Sequence, residues 1–106
     1  CTWGFRGEFY LNELRTRAFE SHSFVICLNR AGEEVTENDP MVRHHFGKSS
    51  IIRPNCEILA GIEDEAWTYV VADIDLSEIE LADKPLPWKR DRRPDLYEIN
   101  NPTTIK

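Results

Sequence analysis

Cysteine is scarce in this sequence, and spacing does not pair the three cysteines that it has. They stand at positions 1, 27 and 56, with no Cys-x-x-Cys among them. Small zinc sites use such close pairs, so the sequence argues against a structural zinc ion. A disulfide framework uses an even number of cysteines. The pattern therefore favours a reducing compartment, and we expect a cytoplasmic protein.

Long hydrophobic runs and an excess of basic charge are missing as well. The longest apolar run, residues 24–28, is far shorter than the ~20 residues of a membrane helix. Against 19 Asp and Glu the chain has 13 Lys and Arg, which gives a net charge of −6. Nucleic-acid binding depends on Lys and Arg that displace counterions from phosphates. We therefore expect neither a membrane nor a nucleic acid as a partner.

Motifs that bind cofactors are not present in the sequence. It has no Gly-rich phosphate loop, no dinucleotide fingerprint and no Gly-x-Ser-x-Gly elbow, so no cofactor is expected. His44 and His45 are adjacent, and neighbouring side chains of an extended segment point in opposite directions, so no metal is expected there. We expect both, and His22, to lie at the surface or at loop edges. Cys27, inside an apolar run, is expected to be an inert core thiol.

What the chain does contain is the composition of an ordinary globular protein. It has 106 residues, of which 41% are hydrophobic and 30% are charged, so its length allows one domain at most. Leu11, Leu14 and Ala18 recur at helical spacing and predict a helix over residues 8–21. The Gly-rich opening, residues 2–7, predicts a loop before that helix.

Four further segments have the apolar character of strands. They are residues 24–28, 49–53, 57–62 and 67–75. The turn at Pro54 and Asn55 predicts a hairpin from the second and third of them, and the polar stretch 29–43 predicts a surface loop. Asp75 or Ser77 is predicted to cap a short final helix. The first strand is apolar throughout and suits cover on both faces, which four strands and one good helix cannot provide.

Cys1 is the one candidate nucleophile that the residues themselves suggest. A free N-terminal cysteine can attack an acyl carbon with its own α-amino group as the base. Spacing places no lysine or second base beside it. The other interpretation is that Cys1 only marks where a fragment begins.

Three stretches, in matching order and spacing, resemble the carbon–nitrogen hydrolase (nitrilase) superfamily. The first is Arg-Thr-Arg-Ala-Phe-Glu at residues 15–20, followed by Asn-Arg-Ala-Gly at residues 29–32. The second, residues 46–59, is similar to the pattern Phe-x-Gly-x-Ser-x-Ile-x-x-Pro-x-Gly-x-x-Leu with a shortened Phe-Gly spacing. The third is Asp-Ile-Asp-Leu at residues 73–76 with Asp-Arg-Arg-Pro-Asp-Leu-Tyr at residues 91–97. That heptad and the segment at Phe46 and Gly47 are most similar to the β-ureidopropionase and N-carbamoylputrescine amidase types.

The resemblance implies an α/β fold, the C-terminal part of a four-layer α-β-β-α sandwich that is incomplete in this chain. It implies hydrolysis of a small-molecule amide, carbamoyl or nitrile substrate through a Glu-Lys-Cys triad and a thioester intermediate. None of the triad can be placed in this chain, so we expect it upstream and expect the isolated chain to be inactive. Residues 1–86 would belong to the hydrolase domain, and residues 87–106 would form a C-terminal extension that contacts another subunit.

Particular residues take expected roles from the same resemblance. Thr2, Trp3 and Phe5 would flank the substrate pocket. The residues expected at the interface of a homo-oligomer are Arg17, Glu20, Arg92, Arg93 and Tyr97. Arg17 and Glu20, three apart on the predicted helix, can also pair with each other.

The hairpin turn is one of the places where the sequence departs from the family pattern, and two other classes of function stay open. Cys56 stands where the family has a glycine in the hairpin turn, so we expect Asn55 to take the left-handed conformation instead. A non-catalytic assembly module would keep the helix and the tail. A hydrolase in its own right would use Cys1 as its nucleophile.

Overall fold

A long first helix and a small antiparallel sheet form the centre of the chain. The computed structural model describes residues 4–63 and 68–96. In chain order the elements are α1 (Gly4–Ser21), β1 (Val25–Cys27), β2 (Ala31–Thr36), β3 (Asp39–Phe46), β4 (Ser50–Ile52), β5 (Ile58–Gly61), α2 (Ser77–Asp83) and a 3-10 turn (Pro94–Leu96). None of the described helices is long and apolar enough to cross a membrane.

Strand β4 is the middle strand of a three-stranded antiparallel sheet with the order β1-β4-β5. Ile26 of β1 lies opposite Ile51, and Ile51 lies opposite Ala60 of β5. Helix α1 packs on β1 and β4. Ala18 of α1 and Ile52 of β4 are fully buried. The core of the described residues therefore lies where α1 meets the middle strand.

The structure confirms the helix predicted over residues 8–21, the strands predicted over residues 24–28, 49–53 and 57–62, and the final helix. Strands β4 and β5 form the predicted hairpin. At these places the local signals and the tertiary contacts agree. The N-cap of α2 is Leu76, whose side chain makes no capping hydrogen bond, so the predicted cap at Asp75 or Ser77 is wrong. Asp75 Oδ1 accepts a hydrogen bond from the Ser77 N–H at 2.9 Å just before the helix.

Helix α1 begins at Gly4, so the loop predicted over residues 2–7 is wrong for residues 4–7. Two glycines led to that prediction, because a glycine within a helix costs ~0.5–1 kcal/mol relative to alanine. Gly7 is buried, and a Cβ atom placed on it would lie 3.0 Å from Cε of Lys48. Packing against the rest of the chain therefore overrides propensity at this end of the helix.

The polar stretch 29–43 was predicted to be a surface loop, and most of it is instead the hairpin of β2 and β3. Glu33 lies opposite His44, and Glu34 lies opposite Arg43. Opposite charges facing each other across two strands stabilise the pairing, while so much charge on both faces hides the alternation that predicts a strand.

The β2–β3 hairpin is joined to the rest of the chain at its base. Asn29 Nδ2 donates to the Gly47 carbonyl at 2.8 Å, and the Gly47 N–H donates to the Arg30 carbonyl at 2.9 Å. Among the described helices and strands, β2 and β3 pack mainly on each other. The hairpin therefore projects from the three-stranded sheet and does not extend it.

The strand predicted over residues 67–75 is wrong for its described part, because residues 68–75 form no strand. Val70 and Ala72 are less exposed than Tyr69 and Val71, so the predicted alternation is present. A strand also needs a neighbouring backbone to accept and donate its hydrogen bonds, and alternation does not provide one. Tyr69 and Val71 are 84% and 77% exposed.

Apolar surface also remains open on β1. Ile26 is 62% exposed, and Leu28, just after the strand, is 84% exposed. The Cα atoms have a radius of gyration of 18.8 Å, against ~13 Å for a compact domain of about 100 residues. In this chain β1 is therefore covered by α1 on one face and open on the other.

Candidate functional site

The residues predicted to flank a substrate pocket lie at or before the start of α1. Thr2 and Trp3 are outside the described residues. Phe5 lies in the first turn of α1, and its side chain is outside what the structure describes. After Phe5, the first described side chain of α1 is that of Glu8.

Lys48 joins the beginning of α1 to the segment that follows β5. Its Nζ lies 2.8 Å from Glu63 Oε2 and 3.6 Å from Glu8 Oε1. The lysine side chain is 19% exposed, whereas both carboxylates are largely in solvent. The hydrogen bond to Glu63, the largest of several causes, raises the pKa of Lys48. We call Lys48, Glu8 and Glu63 the lysine bridge.

The backbone of Lys48 is fixed as firmly as its ammonium group. Lys48 has φ 60 and follows Gly47 with φ 64, so both are left-handed. That conformation costs a non-glycine residue ~1–2 kcal/mol. Two hydrogen bonds hold it: the Lys48 N–H donates to the Glu63 carbonyl at 2.6 Å, and Ser50 Oγ donates to the Lys48 carbonyl at 2.8 Å.

One turn further along α1, Tyr10 makes a second attachment to the sheets. Its ring meets Phe46 edge-on with centroids 5.3 Å apart, and its hydroxyl is hydrogen-bonded to Sγ of Cys27. Burial, and after it the hydrogen bond to Cys27, raises the pKa of Tyr10 to about 12. Cys27 is thus a half-buried thiol with a polar partner, so the predicted core position is wrong, while its inertness stays a prediction.

His22, directly after α1, joins the helix to the C-terminal segments. It is 1% exposed, so the prediction of a surface histidine is wrong at this position. Its Nδ1 lies 2.9 Å from Asp83 Oδ1 at the end of α2. Its ring stacks on Trp88, with centroids 4.3 Å apart and planes 17° apart, and Phe19 meets both rings edge-on.

Some polar groups in and around this stack have a hydrogen-bond partner, and others do not. Lys89 Nζ donates to the Ser21 carbonyl at 2.8 Å, which places a positive charge at the C-terminal end of α1. Within the described part of the chain, His22 Nε2 and Trp88 Nε1 are buried without a hydrogen-bond partner. The stack therefore relies on ring packing and on the contact with Asp83.

A cleft of about 530 Å³ lies beside the His22 stack. Its lining includes Phe19, Arg53, Pro54, Leu81, Pro85 and Leu86. Within this lining, Arg53 Nη1 lies 3.6 Å from Glu78 Oε2.

Of the residues predicted at a subunit interface, Arg17 and Glu20 are brought together on α1. Arg17 Nη1 lies 3.0 Å from Glu20 Oε2, which confirms the predicted pair, and both side chains are more than half exposed. Arg92 is exposed, and Arg93 Nη2 lies 2.7 Å from Asp95 Oδ2 within the tail itself. Tyr97 lies outside the described residues.

The two adjacent histidines hold carboxylates of the facing strand. His44 Nδ1 lies 3.1 Å from Glu33 Oε1, and His45 Nε2 lies 2.9 Å from Glu34 Oε2. The hydrogen bond from His45, and after it the charge of Arg30, lowers the pKa of Glu34. Across residues 4–63 and 68–96, no group of three His, Cys, Asp or Glu side chains could hold a metal ion.

Comparison with known proteins identifies the family of this chain. The sequence profile of the Carbon-nitrogen hydrolase family matches residues 7–84. The chain belongs to the carbon-nitrogen hydrolase family. It is 36% identical over 77 residues to the N-carbamoylputrescine amidases of Arabidopsis thaliana and Oryza sativa subsp. japonica, and 34% identical to that of Solanum tuberosum. Each alignment covers 71% of this chain and 26% of the relative, so the chain spans about a quarter of their length.

A solved structure agrees with the sequence relatives. The carbon-nitrogen hydrolase from Helicobacter pylori G27 matches with a TM-score of 0.76 and 27% identity. The match covers 89% of this chain and 32% of that one. The predicted superfamily and the α/β fold are therefore confirmed, and the predicted similarity to amidase-type members agrees with the names of these relatives.

In this carbon-nitrogen hydrolase chain, the residue that replaces the glycine of the β4–β5 turn is left-handed itself. Cys56 has φ 72, so the prediction that Asn55 takes this conformation is wrong. Asn55 Oδ1 instead accepts a hydrogen bond from the Glu57 N–H at 3.1 Å. Arg15 Nε donates to the Cys56 carbonyl at 2.9 Å, which ties α1 to the turn.

Sequence reasoning missed Lys48 and the role of His22. Neither residue belongs to one of the three family-like stretches as a matching position. A usable signal for His22 is Trp88, a large aromatic residue in an otherwise polar tail that needs a buried partner. For Lys48 no comparable signal exists, because its two carboxylates lie 40 and 15 positions away.

Proposed function

We propose that the protein to which these residues belong hydrolyses the C–N bond of a small amide, carbamoyl or nitrile compound. The observation that carries the proposal is the family match over residues 7–84, with relatives named as amidases at 34–36% identity. Because those relatives are N-carbamoylputrescine amidases, a carbamoyl amine is the first substrate to test.

The proposed chemistry uses a Glu-Lys-Cys triad in a part of the protein that precedes this chain. The cysteine thiolate attacks the carbonyl carbon, the lysine stabilises the oxyanion, and the glutamate moves the proton to the departing nitrogen. Water then hydrolyses the thioester and regenerates the thiolate. The present residues contribute the wall beside that site, with Thr2, Trp3 and Phe5 flanking the pocket.

The proposed architecture of the whole enzyme is the four-layer α-β-β-α sandwich, with residues 1–86 as the C-terminal part of the domain. The apolar side chains Ile26, Leu28, Tyr69 and Val71 support it, because their exposed surface requires a covering layer. Two free thiols, Cys27 and Cys56, support a cytosolic location.

The proposed assembly is a homo-oligomer that uses the exposed face of α1 and the tail, residues 87–106. Arg17 and Glu20 present a polar pair on that face, and the proposal assigns Arg92, Arg93 and Tyr97 of the tail to the same interface. Arg17→Glu places three acidic groups together, since Glu13 is also 3.7 Å from Arg17. In sedimentation velocity this variant of the full-length protein should dissociate, while Lys84→Glu, after α2, should not. An unchanged assembly for Arg17→Glu contradicts the proposed interface.

The decisive experiment is hydrolysis by the full-length protein. Purified enzyme is incubated with N-carbamoylputrescine, with N-carbamoyl-β-alanine and with a simple nitrile, and ammonia release is measured. We expect turnover of at least one carbamoyl compound that persists in Cys1→Ala, and no turnover by residues 1–106 alone. Loss of turnover in Cys1→Ala favours the N-terminal nucleophile. No ammonia from any of the compounds contradicts the proposal and favours an assembly module.

A further inference from the structure

We propose that Lys48 is a positioning residue that sets the KM of the enzyme by holding the first turn of α1 in place. The proposal rests on the proposed function, since it takes the residues just before that turn as the flank of the substrate pocket. Lys48 belongs to none of the matched motif positions.

The lysine bridge connects two segments that are far apart in the sequence. Glu8 belongs to α1, and Glu63 follows β5. The ammonium of Lys48 reaches both carboxylates, at 3.6 Å and 2.8 Å. Since the side chain is largely buried while both acids lie in solvent, Lys48 is the fixed member and the acids converge on it.

Lys48 itself has little freedom to move with the helix. Its N–H donates to the Glu63 carbonyl, and its own carbonyl accepts from Ser50 Oγ at the start of the buried middle strand β4. Its left-handed backbone, with φ 60, confines it further. The bridge therefore fixes the beginning of α1 relative to the three-stranded sheet.

The side chain of Lys48 also packs against the backbone of α1 at Gly7. The methylene groups of Lys48 lie over Gly7, where an added Cβ would be 3.0 Å from Cε and 3.1 Å from Cδ. A helix rises about 1.5 Å per residue and is stiff along its hydrogen bonds, so a shift at Gly7 moves Gly4 with it. The chain that continues backwards from Gly4 contains Trp3 and Thr2.

Other residues hold the remainder of α1, so the positioning role of Lys48 is distinct from a contribution to general stability. Tyr10 holds α1 one turn later, through the Phe46 ring and the Cys27 thiol. Ala18 anchors the helix in the core further on. Losing the bridge therefore releases the first turn alone and leaves the rest of α1 attached.

The test compares four full-length proteins: wild type, Lys48→Met, Lys48→Arg and Lys84→Met. Met keeps the length and apolar stem of lysine but loses its charge, and Arg keeps the charge. Lys84 is an exposed lysine after α2 and serves as the matched control for loss of one positive charge. Two quantities are measured: KM and kcat for the carbamoyl substrate, and hydrogen–deuterium exchange of the amides of residues 8–11.

For Lys48→Met we expect KM to rise at least fivefold with kcat within twofold of wild type. Exchange at residues 8–11, whose amides bond to the first turn, should become at least tenfold faster. Lys48→Arg should restore both values to within twofold, and Lys84→Met should match wild type. An unchanged KM, or a fall in kcat at constant KM, overturns the proposal.

The exchange measurement keeps this proposal distinct from the proposed function. If wild type cleaves none of the compounds, the proposed function fails, and the claim about KM fails with it. Exchange at residues 8–11 that is equal in Lys48→Met and wild type overturns the bridge itself, even in an active enzyme. Faster exchange throughout the chain also overturns it, since Lys48 would then be a general stability residue.

Discussion

The imidazole of His22 lies nearly parallel to the indole of Trp88, with 4.3 Å between the ring centroids. His22 directly follows α1, and Trp88 belongs to the segment that follows α2. Asp83, at the end of α2, holds the imidazole from its edge at 2.9 Å. The end of α1 and the C-terminal region that begins with α2, which are distant in the sequence, therefore meet at one histidine.

Replacing this histidine should be costly. We expect His22→Ala to lower the free energy of unfolding by about 1–3 kcal/mol, the usual cost of removing a buried hydrogen-bonding partner. The stacked contact with Trp88 is lost as well. Urea unfolding followed by circular dichroism measures the change. His44→Ala, at an exposed histidine, should stay within about 0.5 kcal/mol of wild type; equal losses in the two variants would show that the stack contributes nothing.

Replacing Cys56 by glycine should stabilise the protein, because glycine adopts the left-handed backbone of this position without strain. Cys56→Gly removes the strain of a left-handed non-glycine residue and should raise the free energy of unfolding by about 1 kcal/mol. Cys56→Ala removes the thiol but keeps the strain, so it should give no such gain. The urea midpoints of both variants decide the matter. If alanine stabilises as much as glycine, the thiol and not the backbone is responsible.

The carboxyl group of Glu34 should titrate below its ordinary value of 4.5. The hydrogen bond from His45 is the largest cause, so His45→Ala should move the pKa of Glu34 back towards 4.5 further than Arg30→Ala does. Because the folded-state pKa is lower than the unfolded one, this carboxylate stabilises the fold above pH 4.5. That stability is lost as the pH falls through the folded-state pKa. The ¹³C shift of the Glu34 carboxyl carbon reports the titration, and His44→Ala, whose partner is Glu33, should leave it unchanged.

Tyr10 makes the fold sensitive to alkaline pH. Its pKa is raised from 10.0 to about 12, first by burial and then by the Cys27 hydrogen bond. A raised pKa means that the neutral phenol stabilises the fold below pH 10, and this contribution disappears as the pH rises towards 12. Wild type should therefore lose stability more steeply than Tyr10→Phe between pH 10 and 12. Parallel melting curves for the two proteins across that interval would refute the shift.

Apolar periodicity predicted the elements that pack on the core and failed for those that do not. Leu11, Leu14 and Ala18 identified α1, since the face that they form is the one buried against the sheet. The β2–β3 hairpin has no apolar face to detect, because it is stabilised by cross-strand pairs such as Glu33 with His44. Residues 68–75 have the alternation of a strand but no backbone partner within the described chain.

The candidate site was less predictable than the fold. Family resemblance pointed to Thr2, Trp3 and Phe5, but the contacts that hold their neighbourhood come from Lys48 and Glu63. Such contacts depend on where the left-handed backbone of Gly47 and Lys48 directs the chain. A sequence pattern specifies which residues prefer each backbone region, and it does not specify which distant carboxylates a lysine then reaches.

Because the β2–β3 hairpin is closed at its base by Asn29 and Gly47, its outer part is modular. Residues 31–46 leave the body of the protein and return to it at almost the same place. The length and composition of the hairpin can therefore vary among homologues without displacing β1 or β4. For the same reason, we expect an affinity tag or a fluorescent label at its tip to leave β1 and β4 in place, which makes the tip a suitable position for a reporter on this protein.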